Sequence, residues 1–546
     1  MRITLCFEQE AAVVRDCEKD YCAIPVKAPG RAGILRIAFS IPVLDIQGWW
    51  TPDAGISCKL QWRIENLSGP QRNFPALAFF DLGERNRCLF AADLFEDDCR
   101  IYAAQNQEKA VYDVIAEFAL SPESRDFTIV IDRRPIPWVE ALAEWRDALR
   151  DPTPAFPAGA WEPVFCSWYA HHADFAQEDL IADAEIASRL GFRTLIIDDG
   201  WCIDERKRVS PETLVNWYRW IGDWEISRSK FHDFEQFRRR IRELDLKLLF
   251  WVAPFFVGTD SGFRKEFPGC CEEKSHEGSS VLKPRRSDAL QAQLEKLERV
   301  MREGELDGLK VDFLDSIAPS PEAPAGRIVL EFVRSLVRRV RAVKPDALLE
   351  FRQPYANPCM IPCGTQFRAG DVPFDYLENF RRIAQIRLCM GDRVPVHADP
   401  AYWHPEESIV NVARHMIAAI AGVPMLSMKL TELSPCHTRV VQHFLDFYRD
   451  HRPTLNLGRW SIVYHLASPA YLRADGERES VVFLLDEARL AEALEPCGDR
   501  ESFVLNLSSA ELPWEGGEVW APTGEFTAPW IIPPGGIGRS AARCRK

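Results

Sequence analysis

The chain has 546 residues, 47% of them hydrophobic and 27% charged, with a formal net charge of −14. Such a composition is ordinary for a globular protein, and the length predicts about three or four folded units. The acidic balance argues against nucleic acid or an anionic membrane as partner, because both need a basic face, and no apolar run approaches the roughly 18 residues of a membrane span.

The first residues, MRITLCFEQEAAVVRDCEKD, lack the basic-then-apolar pattern of an export signal. Sixteen cysteines are scattered without metal-ligand spacing, the only close pairs noted being Cys270–Cys271 and Cys359 with Cys363. These features predict a cytoplasmic protein whose cysteines are reduced, small apolar residues. Neither a disulfide framework nor a bound metal or cofactor is expected.

Residues 1–150 alternate apolar and polar in short runs such as GILRIAFSI, CKLQWRIEN and RDFTIVIDRR, the pattern of an N-terminal β-sandwich. The Pro-rich stretch DPTPAFPAGAWEP, 151–163, reads as a linker. Over 160–452 the rhythm changes. PVFCSW, RTLIIDD, LKLLFWVAP, DGLKVDF, ALLEFRQ, TQFRAGD, VPVHAD and PMLSMK are eight strand candidates, most of them separated by amphipathic helices. Leu290, Leu294, Leu297 and Met301 keep a helical spacing, as do Val329, Val333, Leu336 and Val340. Eight β-then-α repeats predict a (β/α)8 barrel, and the rival open sheet lacks a GxGxxG after any strand. From 455 to 546 strand-like runs return (WSIVYHL, SVVFLL, SFVLNL), predicting a small C-terminal β domain.

Barrel enzymes carry their chemistry at the C-terminal strand ends. Here those ends hold Trp168, Asp198 with Asp199, Trp251, Lys310 with Asp312, Arg352, Arg368 with Asp371, and His397 with Asp399. Carboxylates accept hydrogen bonds from neighbouring hydroxyls, and indole faces pack on the C–H face of a pyranose. Acids, bases and tryptophans around one pocket therefore point to an oligosaccharide or glycoside as substrate. Two carboxylates flanking an anomeric carbon would make a glycosidase.

The motifs IDDGW (197–201), GDWEISRSKF (222–231), LKLLFW (246–251), LKVDF (309–313) and FRAGD (367–371), in this order, resemble the α-galactosidases of glycoside hydrolase family 36. The resemblance extends, more distantly, to the lysosomal-type α-galactosidases of the same clan, and the flanking β domains fit the family plan. It implies a retaining, exo-acting enzyme that releases terminal α-galactose by a two-aspartate double displacement. Asp312 would be the nucleophile and Asp371 the acid/base, with Asp315 and Asp375 as fallbacks. Asp198 and Asp199 would hold the 4- and 6-hydroxyls, and Lys310 and Arg368 would bind hydroxyls near the reacting centre. Trp168, Trp201 and Trp251 would supply aromatic faces, while His397 reads as structural. A general acid beside an ionised nucleophile should titrate above a free aspartate.

The chain also departs from that family. Trp251 is followed by Val-Ala-Pro-Phe rather than an acid-containing element, and EFRQPY places Arg352 where relatives face the 2-hydroxyl. An unpaired arginine there would be costly. Either the substrate brings an acceptor, the reading preferred here, or an acid neutralises it, with Glu350 and Asp399 the nearest suspects. Galactose as sole substrate is thereby put in doubt. The alternatives are α-N-acetylgalactosamine, β-L-arabinopyranose, transglycosylation, or a non-catalytic carbohydrate-binding relative. The presence of both Asp312 and Asp371 speaks against the last. Oligomeric state is left open.

Overall fold

The computed structural model describes residues 1–59, 61–149 and 154–540. All eight expected barrel strands form one parallel sheet: β1 (Val164–Cys166), β2 (Thr194–Ile197), β3 (Lys247–Val252), β4 (Gly308–Val311), β5 (Leu348–Arg352), β6 (Gln366–Arg368), β7 (Val396–His397) and β8 (Met425–Leu426). Sequence neighbours pair from β1 through β7, and β8 pairs with β1. The seam between β7 and β8 closes at an isolated bridge of His397 with Val423, where Val423 N–H donates to Val396 O at 2.8 Å. All four residues of β2 are buried, which is why TLII reads as a continuous apolar run: helices cover one face and the barrel interior the other.

Seven longer helices surround this sheet: α1 (Gln177–Leu190), α2 (Phe234–Glu243), α3 (Ser287–Glu303), α4 (Gly326–Val343), α5 (Tyr376–Met390), α6 (Ile409–Ile420) and α7 (Pro435–Leu457). The residues singled out for helical spacing on α3 and α4 are all buried. Asp233, Asp375, Ser408 and Ser434 cap α2, α5, α6 and α7 by accepting a backbone N–H from the first turn. Between β5 and β6 the chain makes only 3-10 turns, Gln353–Tyr355 and Pro358–Met360. There the N-terminal unit packs directly on the connection, with Asn357 Nδ2 donating to Gly69 O at 3.0 Å and Asn73 O at 2.6 Å.

That N-terminal unit is a sandwich of two six-stranded sheets. The strand Ala76–Phe80 is buried throughout because it serves two cores. Leu77 and Phe79 face the sandwich interior, whereas Ala76, Ala78 and Phe80 join the core shared with the barrel. Two features depart from expectation. Trp138–Ala148 is a helix, not strand, and it wedges Trp138, Ala141, Leu142 and Trp145 between the units. Trp138 stacks on Phe80 at 5.4 Å and meets Tyr464 of the C-terminal sheet at 5.6 Å, so one indole touches two flanking units. Cys17 and Cys22 form a disulfide, correcting the expectation of reduced cysteines at that pair; the local turn brings their Cα atoms to 6.0 Å. The close pairs noted from the sequence stay free.

Of the expected linker, residues 151–153 lie outside the described residues; Ala158–Trp161 is a 3-10 turn plugging the barrel bottom. After α7, residues 459–540 hold a six-stranded sheet in which Glu479–Leu484 and Glu501–Asn506 run parallel.

Gln385 on α5 anchors the sandwich. Its Oε1 accepts from Trp50 Nε1 at 2.7 Å, and its Nε2 donates to Thr51 O and Pro52 O at 3.1 and 2.9 Å. Leaving a buried partner unpaired costs about 1–3 kcal/mol. Gln385→Ala should therefore lower the thermal unfolding midpoint by an amount matching about 2–4 kcal/mol. An unchanged midpoint would show that apolar contacts alone dock the sandwich.

Candidate active site

Side chains from the C-terminal ends of seven strands meet at the barrel mouth. β2 runs straight into Asp198 and Asp199, both almost fully buried, at 3% and 2% exposure. Asp198 accepts from Lys310 Nζ at 2.5 Å and from Cys166 Sγ at 3.1 Å, and its backbone N–H donates to Ser167 Oγ. Asp199 Oδ2 accepts from Trp217 Nε1 at 2.5 Å, while its Oδ1 has no hydrogen-bond partner among the described residues. Burial pushes the Asp199 carboxyl up to about 6.

Lys310 and Asp312 lie two residues apart and point the same way. Asp312 is held from several directions. Trp251 Nε1 donates to its Oδ2 at 3.1 Å, Phe313 N–H to its Oδ1 at 2.8 Å, and Tyr355 Oη approaches Oδ1 at 3.4 Å. Arg352 Nε stands 3.1 Å from the same Oδ1. Phe313 takes the left-handed conformation, φ 56°, to turn its N–H back onto the carboxylate, a conformation that a bulky residue adopts only where its surroundings impose it. Burial alone would raise Asp312, but Arg352 and then Lys310 outweigh it and hold the group below an ordinary aspartate.

Arg368, only 1% exposed, gathers three acids. Its Nη1 donates to Asp371 Oδ1 at 2.9 Å and to Asp399 Oδ1, and its Nε lies 3.3 Å from Glu350 Oε1. Asp399 also accepts from Val372 N–H at 2.8 Å and Tyr169 Oη at 3.1 Å. Burial raises Glu350 to about 6 and Asp399 to about 7. Asp371 behaves otherwise. Its side chain is half exposed to the cleft, and although burial would lift it, Arg368 first and then Lys310 and Arg352 pull it down to about 2. The expected elevation of Asp371 is therefore absent, because Arg368, not Asp312, is its nearest charged neighbour.

Three further corrections follow from packing. Trp201 offers no face to a ligand: it is 0% exposed, packed on Phe250 and Trp224, with Nε1 bonded to Trp251 O. Trp251 is 2% exposed and serves Asp312 through its N–H, with Tyr218, Trp224 and Phe313 around its ring. Only Trp168 of the three is half-buried, its ring edge-on to His172 and Trp217. Arg352 is neutralised by the protein, but by Asp312 and, at 2.9 Å, Asp315; its guanidinium also lies 4.6 Å over Phe313. Glu350 and Asp399, the acids suspected from strand order, belong to Arg368 instead. His397 points down the barrel, its Nε2 2.8 Å from Ala160 O, and takes no part in the mouth.

Sequence reasoning missed Tyr355, Trp217, Cys166 and Tyr169, which hydrogen-bond the acids. Only Cys166 and Tyr169, flanking the end of β1, had a positional signal. A cavity of about 680 Å3 opens beside the acids, lined by Arg352, Gln353 and Asp371 of the barrel, the 52–56 loop of the sandwich and residues 464–467 of the C-terminal unit.

The parallel eight-stranded barrel thus carries its carboxylates and cations together at one mouth. Residues 155–327 match the Melibiase family model. The chain is 23% identical over 329 residues to α-galactosidase AgaA of Geobacillus stearothermophilus, which covers 56% of this chain and 42% of that protein. It is 22% identical over 333 residues to α-galactosidase 1 of Pediococcus pentosaceus, covering 56% and 43%. The chain thus spans less than half the length of these curated relatives in the matched region. The fold matches the crystal structure of the family 36 enzyme AgaA with a TM-score of 0.64 at 16% identity, over 87% of this chain and 71% of that one. It matches the α-galactosidase of Lactobacillus brevis with a TM-score of 0.65 at 12% identity, over 100% and 81%. In sequence and fold the chain is similar to the glycoside hydrolase family 36 α-galactosidases.

The raised Asp399 gives a stability test. A carboxyl raised by folding contributes stability that is complete below its unfolded value near 4 and is lost as pH climbs through about 7. Asp399→Asn cannot ionise, so the variant's melting temperature should gain on the wild type steadily between about pH 4 and pH 7, whatever the offset at pH 4. Parallel curves would mean that Arg368 keeps Asp399 ionised throughout.

Proposed function

We propose that this protein is a retaining, exo-acting α-galactosidase. The observation that carries the reading is the pairing of Asp312, kept ionised by Arg352 and Lys310, with Asp371, half exposed to the cleft within the same field of cations. Asp312 attacks the anomeric carbon as the bond to the aglycone oxygen breaks, and the proton on Asp371 goes to that oxygen. Water then gives a proton to Asp371 while its oxygen displaces Asp312, so the sugar leaves with its original configuration. Arg368 keeps Asp371 ionised until an aglycone oxygen replaces the arginine as its partner in a cleft closed to water, and Asp371 then takes up its proton.

The same reading gives the deep acids a task. Asp198, clamped by Lys310, and Asp199, with one oxygen free, accept hydrogen bonds from hydroxyls at the far end of the ring. The names of the relatives support α-galactoside chemistry, and AgaA variants have been crystallised with raffinose and with stachyose.

Asp312→Ala should lower turnover of an α-galactoside by several orders of magnitude without loss of fold. In the wild type, proton NMR should show α-galactose as the first-formed anomer; β-galactose would mean inversion and a wider carboxylate spacing.

Arg352 provides a separate test. Removing a cation that lowers Asp312 must raise that carboxyl, and kcat/KM reports the free enzyme. In Arg352→Ala the acid limb of kcat/KM should move to higher pH on every substrate, and Arg352→Lys should restore much of it. A limb that stays in place, with loss confined to galactosides altered at the 2-position, would show that the arginine reads the sugar.

A further inference from the structure

The loop leaving Asp371 carries an exposed ring. Phe374, three residues on, is 65% exposed. A lone exposed phenylalanine needs no explanation, but this one is held in a fixed relation to the cleft. Its ring packs against Tyr402, centroids 5.1 Å apart, and Tyr402 packs in turn against Tyr169 at 6.0 Å. Tyr169 Oη donates to Asp399 Oδ2, which also accepts from Val372 N–H, and Asp399 shares Arg368 with Asp371. Asp375 immediately after Phe374 caps α5, so the loop is tied at both ends. A cavity of about 280 Å3 lies on this side of the mouth, lined by Tyr169 and Tyr402 together with polar groups including His172, Lys429 and Glu432.

We propose that Phe374, backed by Tyr402, is the platform on which the leaving-group sugar stacks. The inference rests on the assignment of Asp371 as proton donor, since the aglycone oxygen must lie against that residue. The loop that carries this donor places the exposed Phe374 ring three residues on, where a sugar bonded to that oxygen could meet it. A pyranose suits that surface because its C–H face covers an aromatic ring while its rim of hydroxyls stays available to polar groups. The platform acts in binding rather than in bond cleavage.

The test uses the full chain and two substrates, raffinose, whose leaving group is a sugar, and α-galactosyl fluoride, which has no aglycone to stack. With that surface removed, Phe374→Ala should raise KM for raffinose about threefold to tenfold. kcat for raffinose and both constants for the fluoride should stay near wild type, and Phe374→Tyr should restore the raffinose KM. Equal losses on both substrates, or none on either, would overturn the platform. If the wild type cleaved neither substrate, the proposed activity itself would fail. Binding still decides in that case: calorimetric titration of raffinose into Asp312→Ala, with and without Phe374→Ala, should show the same weakening of Kd, and an unchanged Kd would refute the stacking.

Discussion

Arg368 is an arginine buried at the centre of a barrel, and a guanidinium removed from water has to be met by acids or the fold loses several kcal/mol. Glu350 on β5, Asp399 after β7 and Asp371 after β6 converge on it. Meeting that demand ties three adjacent strands together at their C-terminal ends. It also sets the charge of each acid: the two buried ones are lifted by desolvation, and the one open to the cleft is pulled down. Beside it, Lys310 with Asp198 and Arg352 with Asp312 and Asp315 repeat the pattern. Three cations threaded among six carboxyl groups make the mouth an array of preoriented charges.

The flanking units shape the approach to this array. The sandwich takes the place of a helix between β5 and β6, and Asn357 and Gln385 pin it there by hydrogen bonds to its backbone. With the C-terminal unit it builds one wall of the cleft beside Asp371. The barrel supplies the charged groups, and the neighbours wall the cavity beside them.

The barrel was legible because its signals are local. Eight apolar runs, each ending in polar residues, and helices with regular apolar spacing need no partner to be recognised. The strand-end acids were legible for the same reason. What failed was everything that depended on which neighbour wins a side chain. Trp201 and Trp251 looked like sugar platforms by type, yet one is core and the other spends its N–H on Asp312. Arg352 was read as meeting an acceptor on the substrate, yet its partners are acids of the protein, from the end of β4 and the turn after it. The helix at Trp138–Ala148 and the Cys17–Cys22 bond lay inside a region whose alternating pattern favoured strands.

By itself the sequence determined the parallel barrel, its flanking β units, and the set of acids and bases delivered to one end of it. Those follow from chain periodicity, which propensity and burial enforce residue by residue. Only the tertiary structure decided the pairing of charges, and with it which carboxyls are ionised. A buried ion's energy depends on distances of a few ångströms between residues far apart in the chain, and no local pattern encodes those distances.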